Sequence, residues 1–379
     1  LKPFANFSAA RLAVKTIFFL NGFVHANYYS RLPRIQDQFS IHDGTIGLVL
    51  LSSSIGALLA MPFTGWLIIR NGSRRVTLTG ALLYCLLVPL IPMAPSLPLL
   101  VIVFFLLGVF SGMLDVAMNA QAVMVEQQQQ KPIMTSFHAL FSVGMMAGAL
   151  TGSAFSSSGA SLLTHLASIS LASAAIIVII RLHLVYDRPV QKQEGPAFRL
   201  PNAAMISIGI IAFCCMLGEG AMADWSTNFM ERTLLASESI APLGLSAFAM
   251  AMTVGRMLGD SARVRLGDYR LMVFSSLVSL VGMGVLMGAP NPSLAILGFV
   301  VVGLGLASVV PIAYSIAGNA PNLPAGVGLA MVTTVGYAGF LFGPPIIGML
   351  ANAFSLRWAF GLVLVLFGLM TILSTRYRK

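Results

Sequence analysis

Residues 97–123 read LPLLVIVFFLLGVFSGMLDVAMNAQAV, an apolar run in which Asp115 is the one charged side chain. About 20 consecutive apolar residues let an α-helix cross the hydrocarbon of a bilayer, and this run exceeds that length. Comparable runs lie on both sides of it. The first six span approximately 12–31, 44–69, 76–94, 97–123, 133–157 and 161–181. A second six span approximately 203–229, 241–262, 270–289, 293–317, 326–351 and 356–375. The 379 residues as a whole agree, being 57% hydrophobic and 9% charged with a mean hydropathy of +0.89. A soluble chain carries about 25% charged residues. The expectation is an all-α membrane protein with twelve transmembrane helices.

Between the sixth and seventh runs lies HLVYDRPVQKQEGPAFRLP (183–201), the most polar stretch of its length. It divides the chain into an N-terminal six-helix bundle (1–182), a linker (183–201) and a C-terminal six-helix bundle (202–379). Lys and Arg distribute unevenly on alternate sides of the runs. Eighteen fall at the termini and in the even-numbered loops, and four, Arg31, Arg34, Arg232 and Arg357, fall on the other side. The positive-inside rule then puts both termini and the linker in the cytoplasm, and a bacterial inner membrane is the expected location. Arg11 and Lys15 precede an apolar stretch as in a signal peptide, but no small-residue cleavage site follows and Asn21, His25 and Asn27 interrupt the run.

The net charge of +10 does not point to nucleic acid, because the basic residues fall in short clusters between apolar runs. Cys85, Cys214 and Cys215 lie inside apolar runs without metal-ligand spacing, so neither a disulfide framework nor a metal site is expected. There is no Walker loop, helix-borne metal motif or Gly-x-Ser-x-Gly elbow. An enzyme, a cofactor and ATP-driven transport by this chain alone are therefore not expected.

The two halves look like copies. Ser142-Val143-Gly144 followed by Gly148 and Gly152 matches Thr334-Val335-Gly336 followed by Gly339 and Gly343. The turn GWLIIRNGSRR (65–75) is matched by GRMLGDSARVRLG (255–267). Six plus six spans with a basic turn after the second of each half resemble the major facilitator superfamily of secondary transporters. The phrases SGMLDVAMNAQA (111–122), SFHALFSVGMMAGALTG (136–152) and GEGAMADWS (218–226) resemble the branch that includes the fucose permease and uncharacterised bacterial inner-membrane relatives. The superfamily's turn has the form G-x-x-x-D-R-x-G-R-R. Gly65, Arg70, Gly72, Arg74 and Arg75 fit it, with Ile69 at the acidic position, and in the second half Asp260 stands with Arg256 and Arg263 around it. The resemblance implies that such an acid and its basic neighbours steady one conformation. It also implies that the first, fourth, seventh and tenth helices line a central cavity.

Three acids fall well within the spans: Asp115, Glu219 and Asp224. A charged group at the bilayer centre costs roughly 2.5–3.5 kcal/mol on insertion scales, so each needs a reason. Asp115 and Asn119 are four apart and share a helix face, flanked by Met118 and Ala122, as suits a surface facing solute. Glu219 and Asp224 are five apart and point about 140° away from each other. Glu219 is a second candidate, after Asp115, for proton coupling, and Asp224 and Trp225, expected near the outer end of their span, are candidates for the solute site. Asn21, His25 and Asn27 in the first span and Tyr314 in the tenth complete the expected solute site. Gly144, Gly148 and Gly152 permit close approach of another helix, a contact expected to slide as the halves rock. Pro311 is expected to kink its helix, and Asn21-Gly22 to weaken the first.

These observations predict a secondary transporter for a small polar solute, such as a sugar or related metabolite. It would act by alternating access and couple to protons through carboxylates that gain and lose them. The resemblance implies uptake of a sugar with a proton, although a coupling acid of the fucose permease in the first span is replaced here by the region of Asn21, His25 and Asn27. The expected partners are a small-molecule substrate, protons and the lipid bilayer, with the chain a monomer. The 21 Met and 24 Phe fit a proton-driven exporter of drugs or metabolites as an alternative. A non-transporting receptor or assembly factor is the alternative from another class.

Overall fold

The apolar runs fold as helices because a bilayer offers the backbone no hydrogen-bond partner, so every peptide group within it must bond inside its own segment. The computed structural model describes residues 7–129, 133–186, 203–318 and 325–376, and no strand occurs among them. The chain forms two compact units, Leu1–Ile41 with Val49–Gln193, and His42–Leu48 with Glu194–Lys379. Most of the linker expected at 183–201 lies outside the described residues.

In order, the helices of the first part are α1 (Phe7–Tyr29), α2 (Leu32–Phe39), α3 (Asp43–Asn71), α4 (Ser73–Leu87), α5 (Leu90–Met93), α6 (Leu97–Gln129), α7 (Met134–Ser157) and α8 (Leu162–Ile180). Those of the second are α9 (Ala203–Asn228), α10 (Leu243–Gly288), α11 (Pro292–Leu306), α12 (Val309–Gly318), α13 (Ala325–Ala353) and α14 (Leu356–Arg376). Among the described residues nine stretches are long and apolar enough to cross a membrane. With α1, the α4–α5 pair and the first arm of α10 they make up the twelve expected passages. α10 counts twice because Gly267, at φ +74°, breaks it into two arms. α11 and α12 count once. They are separated at Ala307–Ser308, one turn before Pro311, whose missing N–H and ring disrupt bonding to the preceding turn. Pro89 divides α4 from α5 in the same way.

The glycine pattern has a different meaning from the expected sliding joint. α7 packs on α1 inside the first unit. A Cβ built on Gly144 would stand 2.0 Å from the Phe19 carbonyl oxygen, one on Gly148 2.4 Å from that of Phe23, and one on Gly152 2.0 Å from Ser30 Oγ. From the other side, a Cβ on Gly22 would meet the Phe141 carbonyl oxygen at 2.1 Å. α1 runs unbroken through Asn21-Gly22, so Gly22 provides close approach rather than a weak point. The second unit repeats the device between α13 and α9. A Cβ on Gly339 would lie 2.6 Å from the Phe213 carbonyl oxygen, and one on Gly336 2.8 Å from Met216 Sδ.

Large apolar side chains cover the outside, among them Leu171, Ile179, Val365 and Trp358, each more than two-thirds exposed. Water would make that surface costly, whereas hydrocarbon does not. α2 is amphipathic, burying Leu32, Pro33, Ile35 and Gln36, and ends at Ser40 in the left-handed region. Hydropathy alone does not resolve it as a separate helix.

Candidate functional site

In the first unit, helical spacing puts Asp115 and Asn119 together on α6, as expected. The Asn119 amide donates to the Asp115 carbonyl oxygen at 2.8 Å and lies 3.4 Å from its carboxylate Oδ1. Both residues are half-buried. Among the described residues the carboxylate meets no cation, so its own helix supplies its hydrogen bonding. Met118 and Ala122, expected to flank a solute-facing stripe, are instead sealed at 1% and 0% exposure. Asn21 on α1 donates to Met118 Sδ at 3.7 Å, which explains the burial: this part of the α6 face is packing against α1.

One turn beyond Asn21, His25 joins a phenol cluster. Its Nδ1 lies 3.2 Å from the Tyr28 hydroxyl and 3.5 Å from that of Tyr84 on α4, and the two hydroxyls are 3.3 Å apart. The Tyr29 ring stacks on the imidazole at 4.3 Å between centroids. Asn27 is not with them. It has no exposed surface, donates to the Phe23 carbonyl at 2.8 Å, and meets His165 Nε2 at 2.7 Å. His165 is in turn stacked on Phe155. Asn27 is therefore a packing contact between α1 and α8 rather than a solute ligand.

In the second unit the surprise is the partner of Glu219. Arg256, expected in the basic turn, reaches from α10 to α9 and forms an ion pair with it, Nη2 to Oε1 at 3.0 Å. Both side chains keep partial exposure, 18% for Arg256 and 22% for Glu219. On the same side of α9, one turn earlier, the Tyr314 hydroxyl from α12 donates to Met216 Sδ at 3.8 Å. Asp224 is 7% exposed and Trp225 fully buried; the Trp225 ring packs 3.2 Å from where a Cβ on Gly348 of α13 would stand. Trp225, a candidate for the solute site, is thus a core residue in this structure.

The two basic turns differ in detail. In the first, Gly72 takes φ +80° between α3 and α4, a conformation glycine adopts without strain. Arg70 lies over the Trp66 ring at 5.4 Å, and Arg74 donates to the Arg181 carbonyl at the end of α8, where a cation suits the helix dipole. Arg75 is exposed, and no atom would lie within 4 Å of a Cβ on Gly65. In the second, Arg263 pairs with Asp268, Nη2 to Oδ2 at 2.9 Å, and donates to Ser315 Oγ at 2.6 Å. The acid in this clasp is therefore Asp268, immediately after the Gly267 break. The side chain of Asp260, the acid expected there, lies outside the described residues.

Sequence reading also passes over Gln121, fully buried two residues beyond Asn119. Its amide forms a two-way pair with the backbone of Val185, Nε2 to O at 2.9 Å and N to Oε1 at 2.8 Å. It also donates to Ser73 Oγ at 2.6 Å. The chain leaving α8 is thereby tied to the ends of α6 and α4. Only the polarity of Gln121 at the end of an apolar run signals it.

Comparison with known proteins places these features in context. The model of the Major Facilitator Superfamily matches residues 16–211 and again 208–379. An uncharacterized MFS-type transporter of Yersinia pestis is 36% identical over 370 residues, covering 96% of this chain and 94% of that one. Membrane protein MosC of Rhizobium meliloti is 33% identical over 347 residues, covering 91% and 84%. Among solved structures, nucleoside transporter NupG superposes with a TM-score of 0.76 at 14% identity, covering 98% of this chain and 100% of that chain. A bacterial homolog to the human lysosomal transporter Spinster gives 0.72 at 15% identity, covering 96% and 95%. At such identities the two structures establish likeness of fold alone.

Proposed function

The chain belongs to the major facilitator superfamily of secondary transporters, and on that premise we propose that it carries a small polar solute across a bacterial inner membrane by alternating access, coupled to protons through Asp115. The observation that carries this reading is the setting of Asp115: a carboxylate midway along α6, half-buried, whose described hydrogen bonding comes from Asn119 on its own helix. A permanently ionised carboxylate in a membrane needs a cation or a wet surface. One without a cation can instead take up a proton whenever its surroundings dry, and release it when they are wet. Glu219 is the second acid of the mechanism, and its pairing with Arg256 gives it a different task.

Asn21, His25, Asn119 and Tyr314 remain the residues we assign to solute, with His25 acting together with the Tyr28 and Tyr84 hydroxyls. The resemblance to the fucose-permease branch favours a hydroxyl-bearing solute. The Lys and Arg asymmetry supports cytoplasmic termini, and its exceptions on the other side include residues with structural employment: Arg34 pairs with Asp37 at 3.0 Å. Arg31 donates to Ser156 Oγ at 2.7 Å. Arg357 donates to the Met287 and Ala289 carbonyls where α10 ends. The experiment is reconstitution of the full chain in proteoliposomes. Solutes from a panel of sugars, sugar acids and nucleosides should accumulate under an imposed pH gradient, and Asp115→Asn should abolish accumulation of the neutral ones while sparing exchange. Accumulation unchanged in Asp115→Asn removes this carboxylate from coupling.

A further inference from the structure

The Glu219–Arg256 pair admits a more specific reading, which rests on the proton-coupled transport proposed above. A guanidinium stays protonated at any working pH, so Arg256 requires an anion in every state of the cycle while it remains within the membrane. In the present state Glu219 is that anion. The pair is also not sealed as a purely structural intramembrane pair would be. Both side chains retain about a fifth of their surface, whereas Trp225, Ser226 and Asn228 farther along α9 have none. The guanidinium carries five N–H donors in a planar fork matched to a carboxylate. The Tyr314 hydroxyl stands one helical turn from Glu219 on the facing α12.

We propose that Arg256 is the binding residue for a monocarboxylate substrate, with Glu219 as the carboxylate it displaces. A proton from solution adds to a Glu219 carboxylate oxygen, and the neutral acid gives up the guanidinium. The substrate carboxylate then takes the Nη donors of Arg256, and Tyr314 orients the substrate through a hydroxyl. On release the substrate leaves as the anion, Glu219 loses its proton to solution, and the ion pair re-forms. One proton and one negative charge move together, so the charge around Arg256 stays constant. That balance favours a carboxylate over a phosphate monoester, whose charge of about −1.5 to −2 at neutral pH a single proton does not offset. The other titratable or charged side chains described on the helices packed against α9 are Cys214, Cys215 and Asp224 on α9 itself, Arg263, Arg265, Asp268, Tyr269 and Arg270 on α10, Tyr314 on α12, Tyr337 on α13, and Arg357 and Arg376 on α14. Among the described ion pairs, Glu219 is the acid that meets Arg256.

The test is calorimetric binding by the purified full chain in detergent. The probes are lactate, glycerate, gluconate and glucuronate, with glycerol and glucose as neutral counterparts and glycerol phosphate as the phosphate arm. At least one carboxylate should bind. Its affinity should rise up to tenfold per unit fall in pH, with uptake of about one proton measured in buffers of differing ionisation enthalpy. Glu219→Gln, which imitates the protonated acid, should bind the same carboxylate with a flat pH profile and no proton uptake. Arg256→Lys should retain weakened binding. Because a lone buried charge can prevent folding, the neutral pair Glu219→Gln/Arg256→Gln is the variant in which binding should fall at least tenfold in a folded protein. Failure of every carboxylate to bind, tighter binding of glycerol phosphate, or undiminished binding by the neutral pair would each overturn the proposal. These readouts need no gradient, so they fail independently of the Asp115 accumulation experiment.

Discussion

Gly144→Ala is a one-carbon change whose effect follows from the α1–α7 contact. The added Cβ would stand 2.0 Å from the Phe19 carbonyl oxygen and 2.9 Å from both the Phe19 carbonyl carbon and the Phe23 nitrogen. Three backbone atoms of a helix cannot swing aside as a long side chain would. Restoring even the 3.0 Å that real Cβ atoms require means moving one helix by about 1 Å along its whole packed length. Overpacking of that kind costs about 1–3 kcal/mol. The same shift would loosen the Gly22, Gly148 and Gly152 contacts on this seam. Thermal unfolding of the purified full chain should therefore begin several degrees lower for Gly144→Ala. Gly284→Ala, at a helical glycine with no atom within 4 Å of the new Cβ, should unfold at or above the wild-type temperature. Equal unfolding temperatures for Gly144→Ala and wild type would refute the close approach of α7 to α1.

Gln121→Leu leaves the Val185 N–H and carbonyl without their side-chain partner, a loss of about 1–3 kcal/mol per buried unsatisfied group. Limited proteolysis in the 183–201 segment should accelerate, and an unchanged cleavage rate would count against the tether. Asp268→Asn removes the anion of a half-exposed clasp with Arg263. Stability should change little, but turnover in proteoliposomes should shift as one conformation loses its support; an unaltered rate would leave the clasp without a conformational role. Asn27→Ala strips His165 of its partner inside a sealed contact and should lower stability without altering solute affinity. A selective affinity change would return Asn27 to the solute site. Reporter fusions should place the 183–201 linker and both termini in the cytoplasm, and an external linker would invert the orientation.

The spans are legible in the sequence because a bilayer demands long uninterrupted apolar segments and leaves local polarity nowhere to hide. The break near Pro311 is legible for an equally local reason, backbone chemistry. The identity of partners is not. Nothing in the spacing of Glu219 and Arg256 reveals that the two meet, since they lie 37 positions apart on different helices. Asn27 looks like Asn21 and His25 by polarity, yet its angle on α1 turns it toward His165. The second clasp meets the same limit, because spacing singles out Asp260, whereas the acid that meets Arg263 among the described residues is Asp268. The Ser-Val-Gly and Thr-Val-Gly repeat is legible as a duplicated close-packing device. Its partners, α1 and α9, can be named only from coordinates.

Coupling through Asp115 is tested most directly by solute accumulation under an imposed pH gradient in proteoliposomes carrying Asp115→Asn, Glu219→Gln or both. Asn keeps the shape and the Asn119 neighbour but cannot bind and release a proton. For a neutral solute, Asp115→Asn should hold the internal concentration at the external one, yet still exchange labelled for unlabelled solute. Full gradient-driven accumulation by all three variants would contradict proton coupling through these carboxylates.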